Sequence, residues 1–434
     1  MGLVLGLKKQ FQKFLVRTFF EGAKKTKATR DFANATNQNF EELAMYDRDM
    51  LRARARWLSA NNPIMSNIDS TIINNVVGRG ISLQSVDDTL QEAWNTWQKS
   101  CDLTGRRTLN DMQRLMLQTR MVDGECFIYK KYTKNGFKIQ LLEEDQLDTY
   151  AGKSGLDIDK DGKVTAYYFK TDGDTVKIDA KHIINYHKSN RISQYRGVSE
   201  YSRSIIDIKN FQGFTSANIQ SLRARANIAY AVEGDDVNPF DYNATDQDGD
   251  KIQEINDAFV FYLNAGEKIH TLDSNATPVN YQEFVQSTVR MIATGRNISY
   301  ELAFRDFSQV NFSSARASLI QDNKRFDSEQ EHMITYILED LYKTWYEYEV
   351  LNGREAVELP VVSWVGPVRE WVRPKEDLSV VLEMVDRNLS TYTDAAKSRG
   401  KVFEEILIQR QAEEALIKKY GLNTEEIQNA ITKA

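Results

Sequence analysis

The sequence predicts a mainly α fold with an embedded small antiparallel β-sheet, an α+β chain long enough for more than one domain. Apolar residues recur at helical spacing through residues 279–297. They do so again over a much longer stretch through Ala315, Leu319, Phe326, Met333, Ile337, Leu341, Trp345 and Tyr348. Between residues 127 and 186 the period drops to two, with Gly136, Gly152, Gly155, Gly162 and Gly173 separating the runs. A content of 41% hydrophobic and 27% charged residues over 434 positions is the balance of a soluble globular chain.

Residues 1–47 read as a basic amphipathic arm. Lys8, Lys9, Lys13, Arg17, Lys24, Lys25, Lys27 and Arg30 face a single acid, Glu21, with Leu7, Phe11, Phe14, Leu15 and Phe19 interleaved. An arm docking on the body or on a neighbouring subunit fits this better than a membrane anchor, and a DNA-binding arm is a third reading. Over residues 48–80, Asn61-Asn62-Pro63 and Gly78-Arg79-Gly80 punctuate two packed helices. Arg48, Arg52 and Arg56, four apart, read as a solvated face. Trp94 and Trp97 share a helix side with Leu90 and Ala93 and suit core packing. A helix over 109–121 hands over at Asp123-Gly124-Glu125 to the first of five expected strands, at 126–132, 137–142, 164–169, 175–178 and 183–186.

In the second half, Arg196-Gly197-Val198-Ser199-Glu200 opens a helical run through Ile205, Ile208, Phe211 and Phe214 to Ala231, with Arg203, Lys209, Arg223 and Arg225 on its surface. A turn-rich acidic stretch carries Asp235, Asp236, Asp241, Asp246, Asp248 and Asp250. The helix over 279–297 buries Phe284, Val285, Val289, Ile292 and Ala293 and turns Gln286, Arg290 and Arg296 the other way. In the break from Arg305 to Ser314, the Asp, Asn and Ser side chains offer the backbone alternatives to a helix ladder. Ser313 or Ser314 is the expected cap of the long helix, which closes on Asn352-Gly353. Pro360, Trp364, Pro367, Trp371 and Pro374 mark an extended, packed crossing, and residues 376–434 are helical with breaks at Gly400 and Gly421.

No catalytic constellation is legible. Asp157, Asp159, Asp161 and Gly162 begin like a calcium loop, but Tyr168 stands where the bidentate carboxylate belongs, so Asp161-Gly162 reads as a hairpin turn. Gly152-Lys153-Ser154 lacks both the preceding glycine and the following helix of a phosphate loop. Gly197-Val198-Ser199-Glu200-Tyr201 lacks the closing glycine of a nucleophile elbow. His182, His187, His270 and His332 are scattered without metal-ligand spacing, and His332 reads as an ordinary surface or interface residue. Cys101 and Cys126 are too far apart for a CxxC element and are expected to be reduced and buried. No window approaches roughly 18 apolar residues and no secretory signal is present, so the expected site of the chain is the cytosol that makes it. The net charge of −6 argues against a coat on nucleic acid but permits a surface past which DNA slides.

The run Phe307-Ser308-Gln309-Val310-Asn311-Phe312-Ser313-Ser314-Ala315-Arg316-Ala317, preceded by Ile298-Ser299-Tyr300-Glu301-Leu302, resembles the signature of lambda-type portal proteins of tailed bacteriophages. The similarity recurs in order at Asn61-Asn62-Pro63, Asn74-Asn75-Val76-Val77-Gly78-Arg79-Gly80-Ile81, Asp123-Gly124-Glu125, Leu141-Leu142-Glu143-Glu144-Asp145-Gln146-Leu147, Arg196-Gly197-Val198-Ser199 and Trp371-Val372-Arg373-Pro374-Lys375-Glu376. It is weakest in the acidic stretch and at both ends.

The resemblance implies the portal architecture of wing, stem, clip and crown, closed as a ring, a homododecamer in the family, at one capsid vertex. It maps 48–196 to the wing, 197–232 and 279–303 to two stem helices, 233–278 to the clip, 304–313 to a tunnel loop and 314–353 to the long wing helix. Residues 354–375 become the crossing and 376–434 the crown. It implies that Arg305, Asp306, Phe307, Gln309 and Asn311 form the DNA-facing loop, with Phe307 and Phe312 anchoring it. Lys209, Arg223, Arg225, Arg290 and Arg296 become channel-lining candidates, and Asp235, Asp236, Asp241, Asp246, Asp248 and Asp250 contacts for motor and adaptor. The implied partners are further copies of the chain, double-stranded DNA bound without sequence preference, the terminase large subunit, a head-tail adaptor, and the major capsid and scaffold proteins. No membrane, cofactor, metal or enzymatic activity is implied. The rivals are a non-channel capsid or scaffold protein and a DNA-processing enzyme, which would need an acidic metal cluster or a Walker lysine.

Overall fold

A computed structural model describes residues 26–32, 35–171, 173–233, 259–263, 281–308, 310–355, 358–368, 374–401 and 403–420. Most of the basic arm, the crossing at 369–373 and Gly421 lie outside them.

Helix α1 (Phe40–Ala44) leads to α2 (Arg48–Asn61) and α3 (Pro63–Val76). Asn62 separates the last two: its N–H closes α2 onto the Leu58 carbonyl, while its side chain accepts from Met65 N at 3.0 Å and caps α3. Pro63 sits in the first turn of α3, where its missing N–H costs nothing. Helix α3 then buries Met65, Ile68, Asp69, Ile72, Ile73 and Val76.

After β1 (Ser82–Gln84) come α4 (Asp88–Ser100) and α5 (Leu109–Asp123). Helix α4 turns Leu90, Trp94 and Trp97 inward. The Trp94 ring meets Trp345 and Trp364 edge-on at 5.2 and 5.9 Å, and the Trp97 indole N–H donates to the Phe137 carbonyl at 2.8 Å, as core packing requires.

Strands β2 (Glu125–Thr133), β3 (Gly136–Leu142), β4 (Leu156–Ile158), β5 (Val164–Thr171), β6 (Asp174–Asp179) and β7 (Ile183–His187) follow. The five expected strands are present, with β4 in addition. They form two three-stranded antiparallel sheets, ordered β3-β2-β7 and β4-β5-β6, rather than one. The turn between β4 and β5 is made by Asp159, whose Oδ1 accepts from Asp161 N and Lys163 N at 3.0 and 2.8 Å. Strand β2 alternates between two cores: Cys126 and Ile128 face the main helical core, and Phe127 packs with Leu142, Leu156, Tyr167 and Phe169 in a smaller one. Lys130 falls on the helix side and reaches Asp340 at 2.9 Å. Cys101 and Cys126 are buried and free, and burial pushes the Cys101 thiol up to about 12.

Helix α6 (Ile205–Asn227) ends four residues before Ala231, and β8 (Ile228–Glu233) pairs in parallel with β9 (Phe259–Leu263). The helical run expected to continue to Ala231 is thereby corrected: Ile228, Tyr230 and Val232 are β-formers, and the apolar spacing of the alanines does not discriminate. Helix α7 (Tyr281–Gly295) packs along α6, Phe214 lying 4.0 Å from Phe284 between ring centres.

Helix α8 (Tyr300–Phe304) precedes the long helix, which runs as α9 (Phe312–Met333), a π-helical turn (Ile334–Leu338) and α10 (Glu339–Leu351). The cap of α9 is Asn311, whose Oδ1 accepts from Ser314 N at 2.9 Å, rather than Ser313 or Ser314. β10 (Ser363–Val365) pairs antiparallel with β1, Leu83 opposite Trp364. Helices α11 (Pro374–Asp386), α12 (Tyr392–Ser398) and α13 (Phe403–Lys419) close the described chain, and neither α11 nor α13 buries a residue.

Gly124 and Gly197 cross back to back. Gly124 caps α5 at φ 114°, and a Cβ on Gly197 would lie 2.1 Å from the Gly124 carbonyl oxygen. Gly197→Ala is expected to destabilise the chain by about 2 kcal/mol or more, read as a lower urea midpoint.

Candidate functional site

The loop between α8 and α9 is braced at both ends. Arg305 ends α8 in the left-handed conformation at φ 55°. Asp306 Oδ1 then accepts from the Ser308 amide at 3.0 Å and its hydroxyl at 2.6 Å, while Tyr300 Oη donates to Asp306 Oδ2 at 3.0 Å. The hydroxyl and amide of Ser308, with Tyr300, hold the Asp306 carboxyl below its ordinary range, so it stays charged. Asn311 fixes the far end as the α9 cap.

Phe307 and Phe312 are exposed, 49% and 44%, and the hydrogen bonds of Asp306 and Asn311 tie the two ends of the loop. Gln309 lies outside the described residues.

Of the five channel candidates, Lys209 and Arg223 are exposed on α6, and the Arg225 side chain lies outside the description. Arg290 is exposed on α7, its guanidinium 5.3 Å from the centre of the Tyr300 ring, which joins it to the base of the loop. Arg296 is a correction: it is fully buried, Nη2 2.8 Å from Asp69 Oδ1 and its guanidinium 4.5 Å above Tyr201. It lies past the end of α7, where the chain turns into the core, so helical spacing misplaced it. All six acids expected in the clip, Asp235 to Asp250, lie outside the described residues.

A lattice of buried charge lies inside the protein. Arg120 on α5 donates to Glu200 Oε1 at 2.6 Å and to Glu329 Oε2 at 2.8 Å; Lys188 also reaches Glu329, and Arg325 reaches Glu200 at 3.1 Å. Burial raises the Glu200 carboxyl, but Arg120, Arg296, Arg325 and Lys188 outweigh it and leave the group well below the ordinary carboxylate range. Glu329 is lowered too, burial and Glu200 opposing and Arg120 and Lys188 prevailing.

The second half of the lattice holds Arg196, which donates to Glu125 at 2.6 Å and Glu144 at 3.0 Å, while the Gly197 N–H donates to Glu125 Oε2 at 3.0 Å. The arginine row expected to be solvated belongs here. Arg48 pairs with Glu41 at 2.7 Å and donates to the Gly197 carbonyl, Arg52 meets Glu144 at 3.3 Å, and Arg56 forks onto Asp123 at 2.7 and 2.8 Å. Their four-residue spacing is that of a solvated stripe, yet Arg48 is buried and Arg52 and Arg56 are half-buried, each held by carboxylates that the fold brings to it.

Sequence reasoning missed Asp69, Arg120 and Glu329 altogether. Glu125, Arg196 and Glu200 stood within recognised motifs without a role. His332, expected as an ordinary surface or interface residue, is half-buried between Tyr186 and Tyr336, and burial beside Arg120 and Lys188 lowers its pKa to about 4.

Among the described residues no group of three or more His, Cys, Asp or Glu side chains is placed to hold a metal ion, and no helix is long and apolar enough to cross a membrane.

The family model for "Phage portal protein, lambda family" matches residues 26–330, and the chain belongs to that family. Among relatives, it is 24% identical to the probable portal protein of Halomonas phage phiHAP-1, over 94% of this chain and 88% of that protein. It is 25% identical to portal protein B of Escherichia phage lambda, over 36% of this chain and 32% of that one. Among solved structures, a chain in the neck of an empty gene transfer agent (GTA) particle aligns with TM-score 0.48 at 10% identity, over 79% of this chain and 92% of that chain.

Two outcomes are expected of the lattice. Arg296→Met leaves Asp69 buried without its cation and costs about 3–5 kcal/mol, read by urea unfolding. Because Glu200 and Glu329 are lowered in the folded chain, their contribution is complete above the unfolded carboxylate range near ~4.3 and is lost as pH falls below it. Glu200→Gln should therefore give a shallower acid limb in melting temperature against pH.

Proposed function

We propose that this portal protein closes as a ring at one vertex of the capsid and serves as a passive conduit for DNA during packaging and ejection. The observation that carries this reading is the loop at 305–311: polar and aromatic side chains are displayed at the surface, and both ends are tied by Tyr300, Asp306 and Asn311. A displayed loop with a fixed base suits a group that must hold its position against a moving polymer. Repetition around an axis turns each weak contact into a circle of copies. Arg305, Gln309 and Asn311 would meet phosphates without reading bases, and Arg290 beside Tyr300 adds a cation at the loop's foot.

On this reading the chain acts in the virion after assembly in the host cytoplasm. The terminase large subunit and the head-tail adaptor dock at the segment rich in Asp235 to Asp250, while capsid and scaffold proteins surround the wing. The ring itself performs no catalysis; the motor is a separate ATPase. Lys209 and Arg223, exposed along α6, are the further candidates for the channel wall.

Electron microscopy with native mass measurement of the purified chain should give closed rings with an axial hole wide enough for duplex DNA; a compact assembly with no axial hole would overturn the conduit. In particles that assemble normally, Arg305→Ala combined with Gln309→Ala should lower packaged or retained DNA, read as genome content per particle. Unchanged content would remove the loop from the DNA path.

A further inference from the structure

A cleft of about 970 Å³ opens over the buried lattice between α9, the end of α7 and residues 188–203. Seven cationic side chains and three carboxylates line it. The carboxylates are already engaged: Glu200 and Glu329 hold Arg120, Arg325 and Lys188, and Asp322 accepts from Ser299 N at 2.9 Å. At the rim, exposed Arg203 and Lys324 pair with no carboxylate among the described residues.

Apolar side chains stand next to the rim by helical spacing: Ile320 lies one turn before Lys324 on α9 and Met291 one turn before the lining Thr294 on α7, while Ile206 follows Arg203 at the start of α6; all three are more than 45% exposed. Phosphate surfaces are met by cations and polar groups, whereas apolar side chains interleaved with unpaired arginine and lysine are the composition of a protein interface awaiting its partner.

We infer that this cleft is the docking site for a carboxylate-bearing surface of a second copy of the chain, Arg203 and Lys324 pairing with its acids while Ile206, Met291 and Ile320 seat against its apolar side chains. The inference rests on the ring reading and deepens it. A chain of net charge −6 carries surplus carboxylates to offer, and a contact between unlike faces is the kind that propagates head to tail and closes a ring. Seating the partner would also cover the open side of the Glu200 and Glu329 pairs and strengthen them by excluding water.

The test places benzoylphenylalanine at Ile320 of the full chain and irradiates the assembled protein. Crosslinked dimers whose second peptide comes from an acidic stretch of another copy are expected. Independently, Lys324→Glu with Arg203→Glu should reduce the ring population about tenfold or more in native mass spectra at fixed concentration, while Lys324→Arg keeps it and all variants melt like the parent. Intact rings in the charge-reversed variant, or crosslinks to DNA in place of protein, would overturn this interface and leave the conduit reading standing. A parent chain that forms no ring under any assembly condition would overturn both.

Discussion

The constraint on which this structure depends is the desolvation of arginine. Arg48, Arg120, Arg196 and Arg296 lie inside the protein, where an unpaired charge would be too costly to bury. Each therefore demands carboxylates from elsewhere in the sequence, and those carboxylates can only be supplied if the helices and strands sit in one arrangement. Residues 188–203, which contain little regular structure, are held by Arg196, Glu200 and Tyr201 in place of a backbone ladder. Such pairs add less net stability than their number suggests, since desolvation offsets most of the attraction. What they fix is position.

That reasoning explains why two separate sequence motifs belong together. Gly124-Glu125 and Arg196-Gly197 are one structural unit: the glycines let the strands of chain touch, and the Glu125 side chain spans Arg196 and the Gly197 N–H. The loop at 305–311 is bracketed in sequence by residues of the buried lattice, Arg296 between α7 and α8 before it and Arg325 and Glu329 within α9 after it.

Much of the fold was legible in the sequence because it is written in local chemistry. Asn62-Pro63 stops one helix and starts the next, Asp159 to Gly162 turns one strand into another, and Trp94 with Trp97 faces inward by spacing alone. What escaped depends on partners far away. The two-stranded pairing of Ser82–Gln84 with Ser363–Val365 involves three residues a side, too few for a period to show. The arginine row on α2 looks solvated until Glu144, Asp123 and Glu41 are brought to it. Arg296 has the spacing of a surface residue on α7 but lies beyond its end. The candidate loop was visible as a break in helical pattern; its bracing by Tyr300 was not, because nothing local distinguishes that tyrosine from a core residue.

The π-helical turn at Ile334–Leu338 carries a consequence for how relatives of this chain are aligned. From Phe326 the inward residues step by seven and then by four to Met333, Ile337, Leu341 and Trp345. In an unbroken α-helix, steps of four drift, so that Trp345 would sit roughly 100° around the axis from Phe326 and leave the tryptophan cluster. The wider turn winds back part of that drift and returns Trp345 to the cluster with Trp94. It acts as a reading-frame correction in three dimensions. A relative with an ordinary turn here would be one residue shorter, and the gap belongs within 334–338 rather than in the loops on either side.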